Sequence, residues 1–152
     1  MLRQALKGAA AGAAGTTALN AVTFLDMALR GRPTSSTPED TVEKLAQQAQ
    51  LNIPGDDEKR SNRLAGLGPL LGLVAGVGVG AAYGAISALT GKPSLKTGMF
   101  ATGLAALLAG NAPMTVLGVT DPRQWNAEAW ISDVVPHLAY GAVTAWSFDA
   151  AE

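Results

Sequence analysis

The chain contains no cysteine and a single histidine, His137. Without thiols there is no disulfide, no thiolate metal site and no cysteine nucleophile, and one imidazole does not make a zinc site from this chain alone. Charge is scarce too: Asp, Glu, Lys and Arg together make up 15% of the residues, against roughly 25% in an average soluble domain. The net charge is -1, and no basic stripe with interleaved aromatics is present, which argues against nucleic acid as a partner. Nor is there a phosphate-binding loop: "GVGVGAAYG" has no strand before it and no lysine after it. Ser132 and Asp133 are sequence neighbours, but adjacent residues of a helix point apart. No catalytic constellation remains, so neither an enzyme nor a cofactor is expected.

What the chain does have is apolar length. Hydrophobic residues make up 48%, and the few charges leave long stretches uninterrupted. From Gly8 to Leu29 the only ionisable residue is Asp26; from Leu64 to Gly91 and from Thr97 to Thr120 there is none; from Ala129 to Phe148 only Asp133 and His137 intervene. Stretches of about 20 residues at 1.5 Å each cross a hydrocarbon layer of roughly 30 Å. A soluble helix shows one apolar stripe and one charged face, and the Leu64–Gly91 stretch has no charged face. These observations predict an all-α fold, an integral membrane bundle of four transmembrane helices over about 8–30, 64–91, 97–118 and 129–148, in one domain spanning 1–152. The first stretch follows Arg3 and Lys7 and is long enough to span, so it reads as a retained helix rather than a cleaved signal. Trp125 and Trp130 before the fourth stretch, and Trp146 with Phe148 at its end, fit two interfacial belts.

Residues 31–63 form a polar loop holding a short amphipathic helix. Thr37 is the expected N-cap, Pro38 suits the first helical position, and Glu39 and Asp40 favour the positive helix end. Val42, Leu45, Ala46 and Ala49 then make an apolar stripe, ended by Pro54-Gly55. Such a helix lies on the membrane surface or caps the bundle. "DDEKR", 56–60, reads as a solvated loop.

The second stretch carries glycine at every fourth position: Gly68, Gly72, Gly76, Gly80 and Gly84. In lipid, helices gain little from hiding apolar surface, and small residues at this spacing let backbones approach closely. Weaker rows run through the other stretches: Gly8, Gly12, Thr16 and Asn20; Ser94, Gly98, Thr102, Ala106 and Gly110; His137, Gly141 and Ala145. Four residues turn a helix by about 400°, so the row from Gly68 to Gly84 drifts by about 160°. One straight partner cannot follow it, which predicts one neighbour near Gly68–Gly76 and another near Gly76–Gly84.

Polar groups inside apolar stretches are the remaining candidates. Asp133 and His137 lie four apart on one helical face, with Pro136 between them. Asn111 in "GNAPMT" precedes Pro113, where a helix is expected to kink or end. Asn20 is placed to hydrogen-bond a neighbouring helix, and Asp26 to pair with Arg30 four residues on. Asp133, His137, Asn111 and Asn20 are thus the candidates for a polar path.

The runs "RPTSSTPEDTVEKLA", "IPGDDEKRSNRLAGLGPLLGLVAGVGVGAAYG" and "DVVPHLAYGAVTAW" resemble small glycine-rich multi-pass membrane proteins of high-GC bacteria, more loosely the YagU-type inner-membrane proteins. The resemblance implies a multi-pass protein of the bacterial inner membrane and no particular activity. Two functions follow as expectations. One is a structural, assembly or interaction subunit, packed through its glycines and partnered by the lipid bilayer, a second copy or a larger membrane complex. The other is a small transporter or channel-like oligomer with a path at Asp133, His137 and Asn111.

Overall fold

The computed structural model describes residues 1–151, and among them every regular element is helical. Helix α1 runs Leu2–Arg30 and stops at Gly31, whose φ of 64° is the left-handed conformation that closes helices. Helix α2 runs Thr37–Gln48, α3 Asp57–Thr90, α4 Leu95–Val116 and α5 Ala127–Ala150. One 3-10 turn, Pro122–Gln124, stands between α4 and α5.

Local chemistry explains the starts. Asp56 accepts a hydrogen bond from the Lys59 amide at 2.9 Å, with Asp57 and Glu58 in the first turn of α3. Ser94 caps α4 by accepting from Thr97 N, and Asn126 caps α5 by accepting from Ala129 N. "DDEKR" is therefore not a loop but the opening of the longest helix. An Asp N-cap followed by acidic residues is the signal that marks it. Two smaller boundaries also shift. Ser36, not Thr37, precedes the first turn of α2, and that helix ends at Gln48 because Gln50 turns left-handed (φ 54°), well before Pro54-Gly55.

The prediction of four membrane spans is overturned. Among the described residues, only α3 and α4 are long and apolar enough to cross a membrane. Absence of charge was the evidence for α1 and α5, and it is a different property from hydrophobicity. Between Gly8 and Thr23, α1 is mostly alanine, glycine and threonine, which offer little apolar surface to lipid. The apolar character of α5 is interrupted by Asp133, Pro136 and His137.

The long helices alternate in direction. Gly8 meets Gly80 and Thr16 meets Gly76, so α1 is antiparallel to α3. Gly15 meets Tyr140 and Thr144, and Lys7 donates to the Ala151 carbonyl at 2.6 Å, so α1 is also antiparallel to α5. Helix α4 packs on α5 around Gly103 and Gly141. The short α2 lies against the N-terminal half of α3, where Pro38 and Glu39 face Gly68 and Arg60 pairs with Glu43. The buried centre is small-residue-rich, with Tyr140 and Phe148 as its two large members, each 1% exposed. Phe148 therefore does not belong to an interfacial belt. It packs edge-on against Tyr83 with ring centroids 5.2 Å apart, whereas Trp130 and Trp146 are exposed.

Candidate functional site

Two features are built from the residues singled out above: a set of backbone-to-backbone crossings and a polar cluster. At the α1–α3 crossing, a Cβ placed on Gly12 would stand 2.5 Å from the Gly76 carbonyl oxygen and 3.0 Å from Gly80 Cα. One placed on Gly80 would stand 2.6 Å from Gly12 Cα. Gly8 and Gly84 meet the facing backbone in the same way, at Gly80 and Gln4. Any side chain at these positions forces the helices apart, because the obstacles are main-chain atoms and not flexible tips.

The row on α3 is shared between two elements. Gly76, Gly80 and Gly84 face α1, and Gly68 faces the start of α2, where an added Cβ would lie 3.0 Å from Glu39 N. The division falls at Gly72, which is exposed and has nothing near it. Tyr140 of α5 adds a third contact, donating its hydroxyl to the Gly76 carbonyl oxygen at 2.6 Å. Aromatic and polar at once, Tyr140 ties α5 to α3 through the gap that glycine leaves.

At the α4–α5 crossing the close pair is Gly103 and Gly141: a Cβ on Gly141 would stand 2.7 Å from Gly103 N, and one on Gly103 3.0 Å from the His137 carbonyl oxygen. Thr102 beside it donates to the Gly98 carbonyl at 2.8 Å and lies 3.2 Å from the Gly141 carbonyl. Gly98 accommodates the Tyr83 ring and Ala145. Gly110 approaches only His137 Nε2, at an ordinary 3.8 Å from an added Cβ. Gly103 and Gly15 are the packing glycines that a strict four-residue row misses. A helix face advances by 3.6 residues per turn, so the buried positions of α4 are Gly98, Thr102, Gly103 and Ala106.

Three of the four polar candidates come together. Asn111 Nδ2 donates to Asp133 Oδ2 at 2.6 Å, linking α4 to α5. His137 Nδ1 lies 2.7 Å from the Asp133 carbonyl oxygen, and since that carbonyl can only accept, Nδ1 carries the proton. In the neutral ring, Nε2 is then the acceptor, on the side of Gly110. The Asp133 carboxylate stands 3.5 Å from Nδ1. Both side chains are largely covered, at 21% and 16% exposure. Asn20 is exposed on α1 and makes none of these contacts. Pro113 does not break α4, which continues to Val116.

One turn away, the end of α1 is fastened to the start of α5. Arg30 pairs with Asp26 at 2.6 Å and with Glu128 at 2.7 Å, and donates to Ser132. Arg32 adds a second cation on Asp26. The hydrogen bonds from Arg30 and then Arg32 hold the Asp26 carboxyl below its usual 3.8. At the opposite end Lys92 reaches Asp149.

The fold and these features define an all-helical protein with two candidate membrane-spanning helices, closely packed through glycine, with one polar cluster between α4 and α5. Among the described residues no group of histidine and carboxylate side chains could hold a metal ion. No protein-family model, curated protein or solved structure matches the chain.

Proposed function

We propose that the chain is an integral membrane protein anchored by the α3–α4 hairpin, and that it serves as a structural or interaction subunit of the membrane. One observation carries this reading. A long apolar helix in a soluble core is mostly buried, but only 22% of the apolar window of α3 and 17% of that of α4 is covered. Leu73, Ile86 and Leu89 of α3, with Phe100, Leu104 and Leu108 of α4, are exposed. Such a surface exceeds what a monomer in water tolerates and suits lipid. The interior supplies a second support. Glycine and threonine occupy the helix crossings, as close packing without a hydrophobic driving force requires.

Helix α1 begins and α5 ends beside the hairpin turn, where Gly84 meets Gln4 and Lys92 meets Asp149, and α2 lies at the other end of α3. Arg30, Arg32, Lys59, Arg60, Arg63 and Arg123 lie at the α2 end, against Arg3, Lys7, Lys92 and Lys96 at the hairpin end, so the positive-inside bias favours α2 on the cytoplasmic face. The test is alkaline washing of membranes from expressing cells, then extraction in mild detergent and native mass measurement. The chain is expected in the pellet, and after extraction as a self-associated or partner-bound particle. Recovery in the wash supernatant, or extraction as a bare monomer, refutes the anchor or the subunit role respectively.

The joining of Asn111, Asp133 and His137 favours a second reading, a small transporter or channel in which the cluster passes protons or a small cation. His137→Ala and Asp133→Asn decide between the two. The transport reading requires altered flux in reconstituted vesicles while the protein still assembles, and the structural reading requires unchanged flux.

A further inference from the structure

A groove of about 670 Å³ between α2 and α3 has no part in the packing described above. One wall is the apolar stripe of α2, with Leu45, Ala46 and Ala49; the other is Leu67, Leu70 and Val74 of α3. Its polar edge is Arg63, whose guanidinium donates to the Pro54 carbonyl. The amphipathic helix therefore does not bury its stripe. It holds the stripe open opposite a second apolar wall.

We propose that this groove binds one acyl chain of an anionic phospholipid, with the headgroup phosphate on Arg63. The inference rests on the membrane reading and specifies the lipid it would take. Three observations fix the occupant. Arg63 is the last charged residue before the uncharged stretch that begins at Leu64, so it stands at headgroup level. From Arg63 to Val74, α3 rises about 16 Å, roughly half of a 30 Å hydrocarbon layer and so the depth of one leaflet. Charge is complementary as well. Arg30, Arg32, Arg60 and Arg123 each pair with a carboxylate, while among the described residues none pairs with Arg63. Its remaining N–H donors form the planar fork that suits phosphate.

The full chain is reconstituted into nanodiscs of equal phosphatidylglycerol and phosphatidylcholine, released into mild detergent, and weighed by native mass spectrometry. The wild type is expected to retain one phospholipid, enriched in phosphatidylglycerol. Ala46→Phe with Ala49→Phe fills the groove and is expected to reduce retention about tenfold. Arg63→Gln, at an exposed site, is expected to keep the chain bound but cut the phosphatidylglycerol preference about fivefold, the effect of one basic residue at an anionic surface. No retained lipid on the wild type, equal retention by the filled groove, or an unchanged preference in Arg63→Gln overturns the proposal, as does a dimer that forms in place of lipid. Alkaline washing separates the two claims. A chain that resists the wash yet retains no lipid refutes the groove alone, and a chain released by it refutes the membrane reading as well.

Discussion

Gly80→Ala adds one methyl group to the α1–α3 crossing, and its cost follows from the backbone. The new Cβ would stand closest to the Gly8 carbonyl oxygen, with Gly12 Cα at 2.6 Å and Gly12 N at 2.7 Å. Ordinary contact begins at 3.4 Å, so the helices must part by at least about 0.8 Å, the shortfall at Gly12 Cα, and loosen the contacts along both. None of these backbone obstacles can rotate away. Overpacking of this kind costs about 3 kcal/mol at the upper end of its range. Replacing glycine by alanine inside a helix returns about 1 kcal/mol. The net loss is about 2 kcal/mol, or a melting temperature lower by roughly 4–8 °C for a chain of this size. Gly72→Ala is the matched control: same residue type, same helix, nothing within 4 Å of the added atom. It collects only the helix-propensity gain, so its stability is expected to equal or slightly exceed wild type. Circular dichroism melts of both variants in one detergent decide the matter. A Gly80→Ala protein as stable as wild type, or a Gly72→Ala protein as damaged as Gly80→Ala, refutes the claim that glycine at this crossing serves backbone contact.

Three further outcomes follow from other parts of the structure. Tyr140→Phe removes the hydroxyl that bridges α5 to the Gly76 carbonyl and should cost about 1 kcal/mol, the net worth of such a bond, read as a lower melting temperature with helicity unchanged. Phe148→Ala empties a fully buried site against Tyr83 and should cost about 3–5 kcal/mol; denaturant titration giving under half of that would show that Phe148 is not part of the core. Asp26 has its pKa lowered by Arg30 and Arg32, so its stabilising contribution is complete above its unfolded pKa and disappears as pH falls through the lower folded value. Asp26→Asn should therefore melt below wild type near neutral pH and converge with it in acid, and a gap that persists in acid would contradict the ion-pair origin.

The sequence made some parts of this molecule legible and hid others for physical reasons. The pairing of Asp26 with Arg30 and the stripe on α2 follow from helical spacing, which is local. The meeting of Asn111 with the Asp133–His137 pair does not, because that contact depends on how α4 lies on α5. Gly12 and Gly80 could be recognised as packing residues, but their being partners of one another could not, since register between helices is set by tertiary contacts. Tyr140 was invisible for the same reason: nothing in "PHLAYG" says that its hydroxyl reaches a carbonyl on another helix. The number of spans was misread because alanine, glycine and threonine remove charge from a helix without supplying much apolar surface. The start of α3 was missed although Asp56-Asp57-Glu58 announces a helix N-terminus, because charge was read there as solvation alone.

A membrane anchor requires the exposed faces of α3 and α4 to face lipid. The chain has no cysteine, so single cysteines can be placed freely. In intact membranes, Leu73→Cys and Leu104→Cys, both exposed side chains on the outer faces of α3 and α4, should resist a membrane-impermeant maleimide, while Asn52→Cys in the polar loop labels once the cytoplasmic side is opened. Labelling of Leu73→Cys and Leu104→Cys as fast as Asn52→Cys would place those faces in water and contradict the membrane anchor.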